Sequence, residues 1–499
     1  MSFPIDAKMK AKHILPKQAA VSERSLRRRL LDGVFWLTVV KLFGQVISWT
    51  ITVYVIRILS PNDYGLMAMA GVYIGFITLF SDVGISAAII QKKDLNQEDL
   101  SNICWAVLSI NLALYALSFF SAPLIATFYN EPRVADVIRV ASIVFIIRCV
   151  GLVSYNMLTR EMIFNRQSQA ELIGNTSGAV ATLWLAMEGF GVWSLVYGSI
   201  IIEIVKNLLF FLFYPWKPEF SFSFSKVKDM IHFGSKVAVA RLFWYLSANM
   251  DLLIAGKILG KTQLGYYAIA VQLAMIPLDK MVSTISQVAF PAFSKVQDDP
   301  ALLKRYYLKI VNLVAFASFP VCWGIFLVAE SAVPLFLSGK WLPAILPLQI
   351  LSMVTAFRAI HIMNAPLEMA VGRPGITIRN FVIIVSVLAL SFFIGSSYGL
   401  EGLAYSWLVF PVVFLITTSI TVRLIDLSLA EYFKELRHPF LGTGFMLLAV
   451  WLGQKLVLVN HGLVARATGS VALGLASYLL YYVLFNREMF AEAKNLLKR

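Results

Sequence analysis

The residues able to do chemistry in this chain are charges in places where charge is disfavoured. Lys41, Arg148, Lys236, Arg241 and Arg358 all fall inside long apolar stretches, as do Asp82, Glu203, Asp251, Asp279 and Glu368. Near the centre of a bilayer each such group costs roughly 2.5–3.5 kcal/mol on insertion scales, so it normally faces a protein interior or water. Lys41 and Arg241 lie about eight residues into their helices, roughly 12 Å deep at a rise of 1.5 Å per residue. Arg148 and Arg358 sit near the middle of theirs, where neither membrane surface is within easy reach. Lys41 and Lys236 have a second reading, snorkelling to the nearer surface. Glu203 and Lys206, three apart on one helix, are placed to neutralise each other. With such pairs set aside, the five cations leave a positive cleft. The group that Arg and Lys recognise best is a phosphate or diphosphate. Asp251 and Glu368 are candidates to bind a coupling cation, Na+ or H+; an ion pair with a neighbouring Lys or Arg is the competing reading.

Other chemistries find no support in the sequence. The five histidines are scattered, and the three cysteines, Cys104, Cys149 and Cys322, lie in separate apolar runs without metal-ligand spacing. No nucleophile motif and no phosphate-binding glycine loop occurs, so no catalytic residue, metal or cofactor is expected. The net charge of +15 does not imply nucleic acid, because the basic residues punctuate apolar segments instead of gathering on a soluble domain.

The elements that position these charges follow from hydropathy. The chain is 59% hydrophobic and 14% charged, with a mean hydropathy of +0.75. Apolar stretches recur from Gly33 to Phe485, each about 20 residues or longer, the length that crosses a hydrocarbon core roughly 30 Å thick. Their length and lack of alternation exclude β-barrel strands. The expectation is an all-α integral membrane protein with about fourteen transmembrane helices, or twelve if one weak pair is misread. Lys and Arg concentrate in every second connection. Arg133, Lys261, Lys340, Lys455 and Arg466 are the few in the others. The positive-inside rule then puts both termini in the cytoplasm. The polar, basic N-terminal stretch reads as a retained cytoplasmic tail, since no small-residue cleavage site follows the first apolar run.

A repeat divides the spans. ILSPNDYGLMAMA at 58–70 returns as ILGKTQLGYYAIA at 258–270, in unbroken phase, with Ile58, Leu59, Gly65, Ala68 and Ala70 matched by Ile258, Leu259, Gly265, Ala268 and Ala270. Lys41 is matched by Arg241 and Arg57 by Lys257. The last two sit at outer helix ends, where a cation suits the helix dipole. The boundaries expected are a tail at 1–32, a six-helix lobe at 33–214, a cytoplasmic linker at 215–232, a second six-helix lobe at 233–425, and two further helices with a tail at 426–499. Parallel repeats of this kind enclose a central cleft and work by rocking one lobe against the other. Gly65 and Gly265 are read as small residues for close helix packing, in preference to a direct role.

Several stretches carry a resemblance. DYGLMAMA at 63–70, FSDVGISAAIIQKKDL at 80–95, FPAFSKVQDD at 290–299, GKW at 339–341 and PLQIL at 347–351 resemble signature stretches of the polysaccharide-transport flippases. These belong to the multidrug/oligosaccharidyl-lipid/polysaccharide exporter superfamily, and the colanic-acid type lipopolysaccharide flippases are the branch most resembled. The resemblance runs from about residue 30 to 430. It implies two pseudo-symmetric six-helix lobes with extra C-terminal helices in the bacterial cytoplasmic membrane. It implies that an undecaprenyl-diphosphate-linked oligosaccharide is flipped to the periplasmic leaflet, driven by an ion gradient or membrane potential, with membrane lipid and a polysaccharide polymerase as partners. No shared catalytic residue carries over. A drug exporter of the same superfamily would typically hold an acid deep in the first helix, where this chain has Lys41. A glycan polymerase or ligase would need a large outside loop, and the longest here, about 330–344, is short.

Overall fold

The computed structural model describes residues 44–45, 47–81, 89, 96–219, 224–458 and 461–486; for 224–241, 243–244, 277–284 and 286–288 it describes the backbone alone. Among these residues the chain is a succession of helices. In order they are α1 (Ile47–Ile58), α2 (Pro61–Thr78), α3 (Gln97–Tyr129), α4 (Arg133–Arg160), α5 (Phe164–Met187) and α6 (Val192–Phe213). A long element, α7 (Phe224–Lys295), is broken into two arms at Gly260, whose φ of 73° is one that a side chain resists. Then come α8 (Pro300–Leu337), α9 (Gly339–Ala370), α10 (Pro374–Ser396), α11 (Gly399–Ile425), the short α12 (Leu429–Glu435), α13 (Arg437–Leu456) and α14 (Leu463–Phe485).

Local chemistry sets several helix starts. Ser60 and Asp63 form a reciprocal capping box before Pro61, and Asn96 with Asp99 repeats the device at α3. Ser428 and Glu431 do so at α12, and the Asp299 side chain accepts from Leu302 N–H at α8. Helix α7 already runs at Phe224, inside the stretch 215–232 expected to be linker.

Among the described residues, eight helices are long and apolar enough to cross a membrane by length and composition: α3, α4, α6, α8, α9, α10, α11 and α14. The protein is therefore an all-α, multi-pass integral membrane protein. Helix α5 is of similar length but carries Asn, Gln, Glu, Ser and Thr along one face.

Packing separates two halves. In the first, α4 and α5 pack on α6, and α3 packs on α4. Gly174 and Gly178 of α5 meet Lys206, Ile202 and Gly198 of α6 with no room for a Cβ, the close approach that small residues allow. In the second, α7 packs on α9 and α10, and α8 packs on α9, α13 and α14. One large apolar cluster joins the two halves, from Ile56 of α1, Leu66 of α2, Tyr129 of α3 and Val137 of α4 through Tyr267 and Trp341 to Leu436. Much of the rest of the first half is packed as small separate clusters, such as Val55, Leu59 and Ala186, or Leu158, Ala170 and Phe210.

Candidate functional site

At one end of the bundle the two halves close on each other through the repeated phrase. A Cβ on Gly65 would collide with the carbonyl of Lys261, and a Cβ on Gly265 would collide with the carbonyl of Pro61. The two contacts are the same contact under the sequence repeat. Between them, Thr262 donates its hydroxyl to the Asn62 side-chain oxygen, again a residue and its own repeat partner. The glycines therefore serve close packing. Around this point Lys261 pairs with Glu131 (2.7 Å), and Lys257 donates to the Phe128 carbonyl (2.6 Å) while lying over its ring. The GKW stretch completes the seal. Lys340 Nζ donates to the carbonyls of Arg57 and Ile58, and Trp341 Nε1 to that of Ile56 at 2.9 Å. The last carbonyls of α1, which have no acceptor role within their own helix, are thus capped from the opposite half. Trp341 is fully buried, edge-on to Tyr64 and Tyr266. Deeper in, Tyr245 donates to the Val72 carbonyl (2.6 Å).

Beneath the seal lies a cavity of about 890 Å³, lined by α1, α2, α5, α6 and, from the other half, Ala268 and Gln272. A second cavity of about 420 Å³ adjoins it, with Glu171 in the wall of both. The second wall holds Arg148, Glu203, Lys206, Asn111 and Asn207. Arg148 grips Glu203 with two nitrogens, Nε to Oε2 and Nη2 to Oε1, each at 3.2 Å. Lys206 meets the same carboxylate at 3.0 Å. The neutralisation expected of Glu203 and Lys206 is present, but Glu203 is shared between two cations. With Glu171 in the same wall, two cations and two carboxylates line this space.

The acidic residues of the second half sit in different surroundings. Asp251 is buried; it accepts from the Tyr267 hydroxyl (2.7 Å), which in turn accepts from Trp407 Nε1 (2.6 Å). Arg358 lies with its guanidinium 4.7 Å from the centre of the Trp407 ring and Nη1 3.7 Å from Met275 Sδ. Glu368, also buried, accepts from three neutral donors: Thr377 (2.5 Å), Asn380 (2.7 Å) and Thr421. A buried carboxylate needs such donors to offset its desolvation. Among the described residues, neither Asp251 nor Glu368 is in a salt bridge.

Of the sequence candidates, Arg148 lines the cavity, and Arg358 belongs instead to the Asp251–Tyr267–Trp407 group of the second half. Lys41 lies outside the described residues, and the side chains of Lys236 and Arg241 do too. Sequence reasoning overlooked Glu171, Asn175 and Gln272. Their signal was available: Ser168, Glu171 and Asn175 recur at helical spacing along α5, as Gln45, Ser48 and Thr52 do on and just before α1.

Comparisons with known proteins bear on the family and the fold. Residues 54–346 match the family described as polysaccharide biosynthesis protein. The teichuronic acid biosynthesis protein TuaB of Bacillus subtilis is 27% identical over 92% of this chain and 96% of its own length. The lipopolysaccharide biosynthesis protein WzxC of Escherichia coli is 27% identical over 86% of this chain and 85% of its own. Among solved structures, the lipid II flippase MurJ in an inward closed conformation superposes with a TM-score of 0.73, at 15% identity, over 91% of this chain and all of that one. An inward-facing multidrug MATE transporter of the MOP superfamily gives 0.59, at 18% identity, over 78% of this chain and 99% of that one. The fold is the one those transporters share. This chain belongs to that family of polysaccharide biosynthesis proteins.

Proposed function

We propose that the chain carries a polyprenyl-diphosphate-linked oligosaccharide, a polysaccharide repeat unit, across the bacterial cytoplasmic membrane by alternating access. The observation that carries this reading is the Arg148–Glu203–Lys206 cluster: two cations on one carboxylate, in the wall of a cavity that lies beneath a sealed end. Glu171 shares that wall, so Arg148 and Lys206 themselves, not a surplus of charge, are the groups that would hold a diphosphate, which matches both the planar fork of Arg and the point charge of Lys. The sealed end, with few basic residues in its turns, faces the periplasm; the opposite end, both termini and the connection between α6 and α7 face the cytoplasm. Substrate enters from the cytoplasmic side and leaves when the seal opens. In this reading Lys41, Lys236 and Arg241 also bind the anionic substrate, and the fourteen spans form two lobes of six with two appended.

The return stroke is coupled to a cation, Na+ or H+, at Glu368 or Asp251. Glu368 is the stronger candidate, since its three partners are neutral oxygen- and nitrogen-bearing side chains that leave its charge uncompensated. A polysaccharide polymerase on the periplasmic side would consume the product. The test is deletion of the gene followed by complementation. Deletion should stop surface polysaccharide and accumulate lipid-linked repeat units; the wild-type chain should restore export, and Arg148→Ala should not, although it inserts normally. Normal polysaccharide in the deletion strain would overturn the proposal.

A further inference from the structure

The 890 Å³ cavity has a wall chemistry that the transport reading does not by itself require. Gln45, Ser48 and Thr52 face it from the start of α1, Glu171 and Asn175 from α5, and Gln272 from the opposite half. Among the described residues, the side chains of Gln45, Ser48, Glu171, Asn175 and Gln272 have no hydrogen-bond partner in the protein. Thr52 donates to the Ser48 carbonyl (2.8 Å) and keeps its lone pairs free. Amides, hydroxyls and a carboxylate left open at membrane depth are disfavoured unless water or a ligand meets them. Among the described residues this wall holds no Lys or Arg, and Tyr64 is its one aromatic residue. A phosphate would lack its cations here, and a flat aromatic amphiphile would lack its stacking surface. What the wall does match is a molecule dense in hydroxyl groups, each able to donate and accept.

We infer that this cavity is a glycan subsite, in which the sugar rings of the substrate lie while its diphosphate lies against Arg148 and Lys206 in the adjoining cavity. The inference rests on the function proposed above. Its volume is at the upper end of the roughly 300–1,000 Å³ typical of small-molecule pockets, which leaves room for more than one sugar ring. Glu171 stands at the junction of the two cavities. An ionised carboxylate only accepts hydrogen bonds and can take two at once, so it receives neighbouring hydroxyls of the ring next to the diphosphate. Asn175, one turn further along the same face of α5, and Gln272, across the cavity, bind the rings beyond.

The full-length protein in lipid nanodiscs tests this with two probes. One is farnesyl diphosphate, which has no sugar; the other is the undecaprenyl-diphosphate-linked repeat unit extracted from cells lacking the gene. The Glu171→Leu, Asn175→Leu double variant should bind the repeat unit at least tenfold more weakly and farnesyl diphosphate within twofold of wild type. Gln272→Leu, on the opposite half, should show the same split and serves if the double variant does not fold. Glu171→Gln, which keeps one acceptor, should lose less than Glu171→Leu. Unchanged repeat-unit binding in folded variants, or parallel loss of both probes, overturns the glycan subsite. If wild type binds the repeat unit but not farnesyl diphosphate, the diphosphate reading of Arg148 fails while the split between variants still reads the glycan subsite. Binding of neither probe to wild type overturns both.

Discussion

Replacing Trp341 by Phe should unlock the sealed end. The substitution keeps a ring against Tyr64 and Tyr266 but removes the indole N–H that meets the Ile56 carbonyl at 2.9 Å. Removing one partner of a buried hydrogen bond costs about 1–3 kcal/mol. That bond exists only when the halves are together, so the loss falls on the sealed conformation alone. A shift of that size moves the balance between sealed and open forms by about 5- to 150-fold. Lys340→Gln should do less: its ammonium is exposed, and a cation at a helix C-terminus contributes about 0.3–1 kcal/mol. The assay is a single cysteine at Ala68, which lines the cavity below the seal, in a background lacking Cys104, Cys149 and Cys322. An impermeant maleimide added outside intact cells reaches it only through an opened seal. Labelling should be at least about fivefold faster with Trp341→Phe, and faster to a smaller degree with Lys340→Gln. An unchanged rate with Trp341→Phe, at normal insertion, would refute the reasoning.

Other expectations follow from the same contacts. Gly65→Ala and Gly265→Ala should speed that labelling to a similar extent, because each new methyl strikes the backbone carbonyl of the other half; overpacking of this kind costs about 1–3 kcal/mol. Glu368→Leu strands three donors and should melt well below Glu368→Gln in detergent, whereas Glu368→Gln should stay folded and lose the dependence of export on the ion gradient. Asp251→Asn should leave substrate binding intact; if Asp251 is the coupling group, ion dependence is lost there instead. Arg139, in an exposed pair with Asp136, should tolerate Gln with little effect, in contrast to Arg148. Glu431 is held down to about 2, from an ordinary 4.5, by the Ser428 N–H, Lys304 and the Ser428 hydroxyl. A depressed carboxylate contributes its stability above its unfolded pKa and loses it as pH falls through the folded value. The melting difference between wild type and Glu431→Gln should therefore be the same at pH 8 and pH 6 and shrink below about pH 4.5.

Hydropathy located the eight helices that are long and apolar enough to cross a membrane among the described residues, but not the helix ends. Helix α14, Leu463–Phe485, ends where its apolar run ends, whereas α7 begins at Phe224 and α8 at Pro300, each about nine residues before the apolar run. Capping by residues such as Asp299, not hydrophobicity, decides such a start. The repeated phrase forms the seal itself: Thr262 meets Asn62, Gly65 packs on Lys261 and Gly265 packs on Pro61. Pairings between distant helices were not legible: Arg148 finds Glu203, and Glu368 finds Thr421, through packing that periodicity does not encode. Glu171 was passed over because it lies near the polar start of α5, where a charge needs no explanation until the cavity beside it is known.

The most direct test is flipping itself. Purified protein reconstituted in liposomes, with fluorescent undecaprenyl-diphosphate-linked repeat unit in both leaflets, should render nearly all the probe accessible to an external quencher or glycosidase. Protein-free vesicles should expose only the outer half. Arg148→Ala, reconstituted in equal amount, should slow the reaction, and filling the cavity wall with Asn175→Trp should slow it further. Accessibility in wild-type vesicles equal to that of protein-free vesicles, with correctly folded protein and an imposed ion gradient, would contradict the account.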